Sequence, residues 1–284
     1  MPASPSSSAQ AARETVAHRL RDMRKAAGLT VVDLARRCGW QHSKTSRIEN
    51  ARTAPSATDI RLWCTACEQD GQAEDLVAQS LNAESMYREW RDQMRSGLRA
   101  LQTSLVQFFH DTSLFRVYSS TLIPGLLQTE GYAAAVLAGA AAFRSLPVDD
   151  SAEAAQARVE RSRIIHEAGH RFVLLIEESA LRYQVAEADA MAAQLGYLLT
   201  VGELPAVSLG IVPTGSPGRA HWPRETFHMY DDALVSVELI SATVRVTQPS
   251  EIALYLKAFE ELRSMAVYGA GARALIVKAI DALA

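Results

Sequence analysis

His166-Glu167-Ala168-Gly169-His170 fits the H-E-x-x-H pattern, in which two imidazoles hold zinc and the glutamate serves as general base. That chemistry needs both histidines at i and i+4 on one helical face. Gly169 costs a helix about 1 kcal/mol relative to Ala. Phe172-Val173-Leu174-Leu175-Ile176, directly after it, reads as a strand. The spacing therefore predicts a helix–turn–strand junction that separates the two histidines and binds no metal. A zinc peptidase site, with Glu177, Glu178 or Glu187 as third ligand, is the alternative.

Cys64-Thr65-Ala66-Cys67 offers thiol chemistry. A redox pair needs its first cysteine at a helix N-terminus after a strand, where the dipole lowers the thiol pKa. Here the pair falls inside a helix that begins after Ser56, with both thiols on one face. Packing is the expected role; a zinc site with Cys38 and His42 is the alternative. Three cysteines in 284 residues also argue against a disulfide framework and for a cytoplasmic protein.

The strongest chemical signal is a basic run. From Arg13 to Thr53 ten basic residues stand against four acidic ones, an excess of six in a chain of formal net charge −3, so the remainder carries −9. A basic head on an acidic body points to nucleic acid for the head. Hydrophobic residues make up 48% and charged residues 21%, ordinary for a globular chain. No apolar run is long enough to span a bilayer, so no membrane is expected, and residues 1–12 lack the features of a signal peptide.

The elements that would carry this chemistry follow from periodicity and caps. Residues 1–12, rich in Ser, Pro and Ala, read as a disordered arm. Residues 13–70 read as a helical domain: Val16, Leu20 and Met23 recur at helical spacing, and Gly28 stops the first helix. Thr30 and Asp33 form a capping box for a second helix, and Gly39 turns the chain. A third helix runs from about Gln41 to Asn50, and Ser56 with Asp59 caps a fourth. Residues 71–82 read as a short helix and linker. Residues 83–284 form a second domain: one long helix over 83–110, helices at 128–142, 151–168, 188–201, 249–265 and 270–283, and strands at 115–118, 172–176, 207–212, 226–230, 233–240 and 243–246. Without regular βαβ repetition, the fold class is a mainly α N-terminal helix-turn-helix domain plus an α+β C-terminal domain.

Leu29–Asn50, LTVVDLARRCGWQHSKTSRIEN, resembles the helix-turn-helix of Xre/Cro (Cro/C1-type) repressors, in its Leu-Thr cap, Leu34-Ala35, Gly39 and Ser46-Arg47-Ile48-Glu49. Leu34, Thr45 and Ile48 should face inward. That leaves Gln41, His42, Ser43, Lys44 and Arg47 on the end of helix three that enters the major groove in such motifs. His42, Ser43 and Arg47 are the expected base-edge readers; Lys44 and Arg52 are expected at phosphates. The resemblance also implies that Arg24 and Glu49 form an internal ion pair. Val31 departs from the pattern, because the resembling repressors often place a phosphate-contacting Gln there.

Leu122-Ile123-Pro124-Gly125-Leu126-Leu127-Gln128-Thr129 with Gly131-Tyr132-Ala133 resembles a signature of WhiJ-like actinobacterial regulators. Arg158–Arg163, Phe172–Leu181, Gln194-Leu195 and Val235–Glu238 extend the likeness over nearly the whole chain. Val237, where Tyr is common, and Ala220-His221-Trp222, in a usually Gly-rich turn, depart from it. The resemblance implies transcription regulation, with a small partner protein encoded nearby, sometimes in an antitoxin-like arrangement. Double-stranded DNA and a homodimer are the other expected partners; no cofactor and no catalysis are expected. In the body, Arg158, Arg161, Glu178, His221 and Trp222 are candidates for a ligand or partner site, against a salt-bridged solvated face for the arginines. A partner-binding body, a body with a small-molecule pocket and a body that is a zinc peptidase remain the three readings.

Overall fold

The computed structural model describes residues 5–82, 87–89, 96–146, 148–215, 219, 222–240 and 242–283. It divides into two compact units, Met1–Tyr87 with Arg245–Ala253, and Arg88–Val244 with Leu254–Ala284.

Residues 5–82 of the first unit are helices and turns: α1 (Pro5–Ala26), α2 (Val31–Cys38), α3 (His42–Glu49), α4 (Ala57–Ala66) and α5 (Ala73–Asn82). Both anticipated capping boxes close. Asp33 N donates to Thr30 Oγ1 at 3.1 Å and Asp59 N to Ser56 Oγ at 3.1 Å. Gly39 sits at φ +73°, the left-handed conformation that lets the chain turn out of α2. Val16, Leu20, Leu34, Ile48, Ile60 and Trp63 are buried in one core, and Trp63 Nε1 donates to Leu20 O at 3.1 Å.

Two boundaries differ from the sequence reading. Residues 1–4 of the expected arm lie outside the described residues, but Pro5–Ala12 are helical. Pro suits a first turn, and the Ala-Gln-Ala-Ala that follows favours helix. The expected linker over 71–82 is α5, preceded by a short turn, and Ala73, Leu76 and Val77 are buried in the head's core. Residues 245–253 also group with this unit; Ser250 donates to Asp75 from N (3.2 Å) and Oγ (2.5 Å).

The second unit holds most of a seven-stranded mixed sheet. Its strands are β1 (Tyr87–Glu89), β2 (Leu114–Ser119), β3 (Arg171–Glu177), β4 (Val207–Val212), β5 (Phe227–Tyr230), β6 (Leu234–Glu238) and β7 (Ala242–Val246), in the order β1-β7-β6-β5-β2-β3-β4. The β2–β3 and β3–β4 pairs are parallel; β2–β5 and β5–β6 are antiparallel. The parallel half needs crossovers, which α8 (Glu130–Arg144), α9 (Ser151–Ser162) and α10 (Ala188–Val201) supply. Phe115 and Val117 of β2 share a face with Phe172, Leu174 and Ile176 of β3, and Met191, Leu195 and Leu198 of α10 close the same core. α11 (Pro249–Met265) and α12 (Ala270–Asp281) end the chain.

The long helix expected over 83–110 is not formed. Residues 83–86 and 90–95 lie outside the described residues, Tyr87–Glu89 is β1, and helix resumes as α6 (Leu98–Ser104) and α7 (Val106–His110). Gly97 has φ +92°. The Asp150 carboxylate caps α6 across the fold, accepting from Leu98 N and Arg99 N at 3.0 Å each. Apolar spacing through Leu98, Leu101 and Leu105 continues across these breaks, so periodicity could not show them. No helix among the described residues is long and apolar enough to cross a membrane.

Candidate nucleic-acid interface

The geometry of α3 follows from what anchors it. Thr45, Ile48 and Glu49 are buried and face the core. Trp40 Nε1 donates to Thr45 Oγ1 at 2.8 Å, pinning the start of the helix. The far end is held by arginines from α1. Arg24 donates to both carboxylate oxygens of Glu49, at 2.5 and 3.1 Å, and to Leu29 O at 2.6 Å. Side-chain exposures of 10% and 6% make this a buried pair. Donation to the Glu49 carboxylate holds the Arg24 pKa above its ordinary value against the cost of burial. Arg21 donates to Glu49 O at 2.5 Å and to Asn50 Oδ1 at 3.1 Å.

With those residues turned in, Gln41, His42 and Arg47 are exposed and Ser43 is half-buried on the opposite side; Arg52 follows, also exposed. Gln41 gives α3 no side-chain cap, so its side chain satisfies none of the first-turn N–H groups. Arg47 and Arg52 are solvated cations beside exposed polar groups, an arrangement suited to a polyanion with readable edges.

Lys44 is placed differently from its expected phosphate role. Its ammonium lies 2.6 Å from Asp59 Oδ1 and 4.5 Å from the centroid of the Trp40 ring. Burial would raise the Asp59 pKa, but the Lys44 and Ser56 hydrogen bonds lower it below the ordinary value. Lys44 thus ties α3 to the capped start of α4. Neither this tie nor Arg21 was marked by any sequence signal beyond residue type.

The remaining candidates scatter. His166 ends a short turn after α9, Gly169 has φ +94°, and β3 begins at Arg171, so the two motif histidines do not share a helical face. His110 of α7 instead joins Glu167 and His170, with ligand atoms within 4.8 Å of one another. His110 Nδ1 is 3.5 Å from Glu167 Oε2, and His170 Nδ1 is 2.7 Å from Thr112 O. This is the one group among the described residues that could hold a metal ion. Cys64 and Cys67 are buried in the head's core and Cys38 is half-buried. Desolvation pushes Cys38 and Cys64 up to about 11, which suits packing rather than redox chemistry.

Glu178 accepts from Thr214 N at 3.0 Å and Thr214 Oγ1 at 2.8 Å, and meets Arg182 at 3.4 Å, which fixes the loop after β4. Trp222 is exposed, with the Arg224 guanidinium 4.4 Å from its ring centroid. His221 lies outside the described residues. Of this group the fold brings together only Arg158 and Arg161, on α9. They point inward rather than forming the solvated face, and Gln102 of α6 accepts from both.

Two family models match the chain. One, described as a helix-turn-helix domain, covers residues 15–77. The other, described as a domain of unknown function (DUF5753), covers residues 103–278. No curated protein and no solved structure matches it. The first match agrees with the α2–Gly39–α3 geometry and supports a DNA-binding regulator. By the second, which spans more than half its length, the chain belongs to the DUF5753 family, here preceded by a helix-turn-helix domain.

Proposed function

We propose that this protein is a sequence-specific, double-stranded DNA-binding transcription regulator of the Xre, Cro/C1 type. The observation that carries the reading is the outward face of α3: Arg47 exposed beside His42 and Ser43, with Arg52 exposed just after the helix, whose other face is locked by Thr45, Ile48 and the Arg24–Glu49 pair. Arg47 would take a guanine edge, His42 and Ser43 would read less selectively, and Arg52 would hold a phosphate. The excess of negative charge outside residues 13–53 disfavours any docking pose that brings it to the backbone.

The resemblance to WhiJ-like actinobacterial regulators supports the finer reading. On it the chain works in the cytoplasm as a homodimer, its second unit binding a small protein encoded nearby and catalysing no reaction. A dimer would set two α3 helices about 34 Å apart on DNA. Genome-wide capture with the purified protein tests the reading. Enriched sites sharing a two-fold motif with half-sites one turn apart are expected; unstructured recovery of all DNA would overturn sequence-specific regulation.

A further inference from the structure

Arg158 and Arg161 are spaced i, i+3 on α9, so both guanidinium groups project from one helical face. That face is turned into the second unit. Arg158 donates from Nε to Gln102 Oε1 at 3.2 Å and from Nη1 to Gln128 Oε1 at 2.7 Å. Arg161 donates from Nη1 to the same Gln102 Oε1 at 2.9 Å, and its guanidinium lies 4.5 Å from the Phe109 ring centroid. One neutral amide oxygen therefore clamps two cations side by side.

The charge balance around them is the unusual part. Among the described residues no carboxylate lies within 4.0 Å of either guanidinium; the acceptors are the uncharged amides of Gln102 and Gln128, both buried. Arg161 Nε is buried with no hydrogen-bond partner among the described residues. Among the described residues Nη2 of each arginine meets no acceptor, yet both arginines keep partial solvent access. Desolvation, and for Arg161 also the neighbouring Arg158 charge, pull both groups down, Arg161 to about 10. Desolvation, with the Arg161 and Arg158 charges, likewise lowers the pKa of His228 of β5. Glu238, exposed at the end of β6, is the acidic side chain whose field both arginines feel, and it is too far away to pair with them.

A purely structural arginine in such a position is ordinarily matched to a carboxylate, because removing a charge from water costs several kcal/mol unless it is paired. Here two guanidinium groups share one neutral amide oxygen and keep unused donors, beside the Phe109 ring, 4.5 Å from the Arg161 guanidinium, and Tyr230, whose ring centroid is 6.0 Å from that of Phe109. Guanidinium N–H groups left unused in this way suit the oxygens of a carboxylate or phosphate. We propose that Arg158 and Arg161 form the anion-binding fork of a small-molecule site, which takes a carboxylate or phosphate carried on a compact organic body. The body of the ligand would lie against Phe109 and Tyr230. The site is independent of the DNA-binding reading and sits wholly inside the second unit.

The test is thermal unfolding and calorimetric titration of the full chain, using inorganic phosphate in one arm and benzoate in the other. A saturable, one-to-one interaction in at least one arm is expected, raising Tm by about 5 °C at a hundredfold excess over Kd. The arm that responds separates phosphate from carboxylate ligands. Gln102→Glu places a carboxylate where both arginines already donate, and should raise Tm without ligand while abolishing the anion response. Arg161→Met should weaken anion binding at least tenfold. Arg163→Met, which removes an exposed arginine of the same segment paired to Glu160, should leave it unchanged. The proposal is overturned if neither anion shifts the parent protein. It is also overturned if the shift survives in Gln102→Glu and Arg161→Met, or is lost equally in Arg163→Met.

Discussion

Replacing Glu49 by Gln tests what holds the reading helix in place. The substitution keeps shape but removes the charge that neutralises Arg24, whose side chain is 10% exposed. Breaking a buried ion pair on one side costs about 3–5 kcal/mol, because the remaining charge is left desolvated. Gln can still accept one of the two Arg24 bonds now at 2.5 and 3.1 Å, so the lower end, about 3 kcal/mol, applies. Hydrogen exchange read on peptides covering residues 29–52 reports this local stability directly. Since about 1.4 kcal/mol is a factor of ten, exchange there should speed up roughly 100-fold, while the second unit is unaffected. The double replacement Arg24→Met, Glu49→Met should recover most of the loss, because two apolar side chains of similar volume leave no orphan charge. If Glu49→Gln changes exchange less than threefold, or the double variant is as poor as the single, packing and not the ion pair anchors α3.

Four further outcomes follow from the same geometry. The folded pKa of Asp59 lies below its ordinary value of 3.8, so its bonds to Lys44 and Ser56 contribute fully at neutral pH and are lost as pH falls through the folded value; Asp59→Asn should therefore destabilise the head more at pH 7 than at pH 2.5, by urea titration at both. Thr30→Ala removes the acceptor for Asp33 N and should cost about 1 kcal/mol, read as a lower urea midpoint. Gly97→Ala forces a side chain into φ +92° with its Cβ 2.6 Å from Asp150 Oδ2 and should cost about 1–3 kcal/mol, seen as a reduced Tm. His166→Ala should leave both Tm and DNA affinity unchanged, since no helix pairs His166 with His170; a loss of Tm in that variant would restore His166 as a metal ligand.

Much of the head was legible because its signals are local. Thr30 and Ser56 each announce a helix three residues ahead of an aspartate, and Gly28 and Gly39 mark turns, so α2, α3 and α4 could be placed without the structure. The outward set on α3 followed from period alone. Lys44 misled because its charge suggests phosphate, while its partner Asp59 comes from another helix. The break at Gly97 depends on Asp150, more than fifty residues away, and periodicity carries no such information. Arg158 and Arg161 read either as a ligand or partner site or as a salt-bridged face, since Glu153 and Glu160 lie in the same predicted helix. The tertiary fold turned them toward Gln102 and Gln128 instead. His110 joined Glu167 and His170 for the same reason: a distant residue supplied what the local pattern lacked.

The central claim is that α3 reads sequence through Arg47 while Arg52 contacts backbone and Lys44 is structural. Fluorescence anisotropy with a captured site and a scrambled duplex, across a salt series, tests all three together. Arg47→Ala should cost the captured site about 1–3 kcal/mol and collapse its preference over the scrambled duplex. Arg52→Ala should weaken both duplexes alike and reduce the salt slope by about 1, and Lys44→Met should leave that slope unchanged. Equal preference for the captured site in Arg47→Ala and the parent protein would contradict the assignment of α3 as the reading helix.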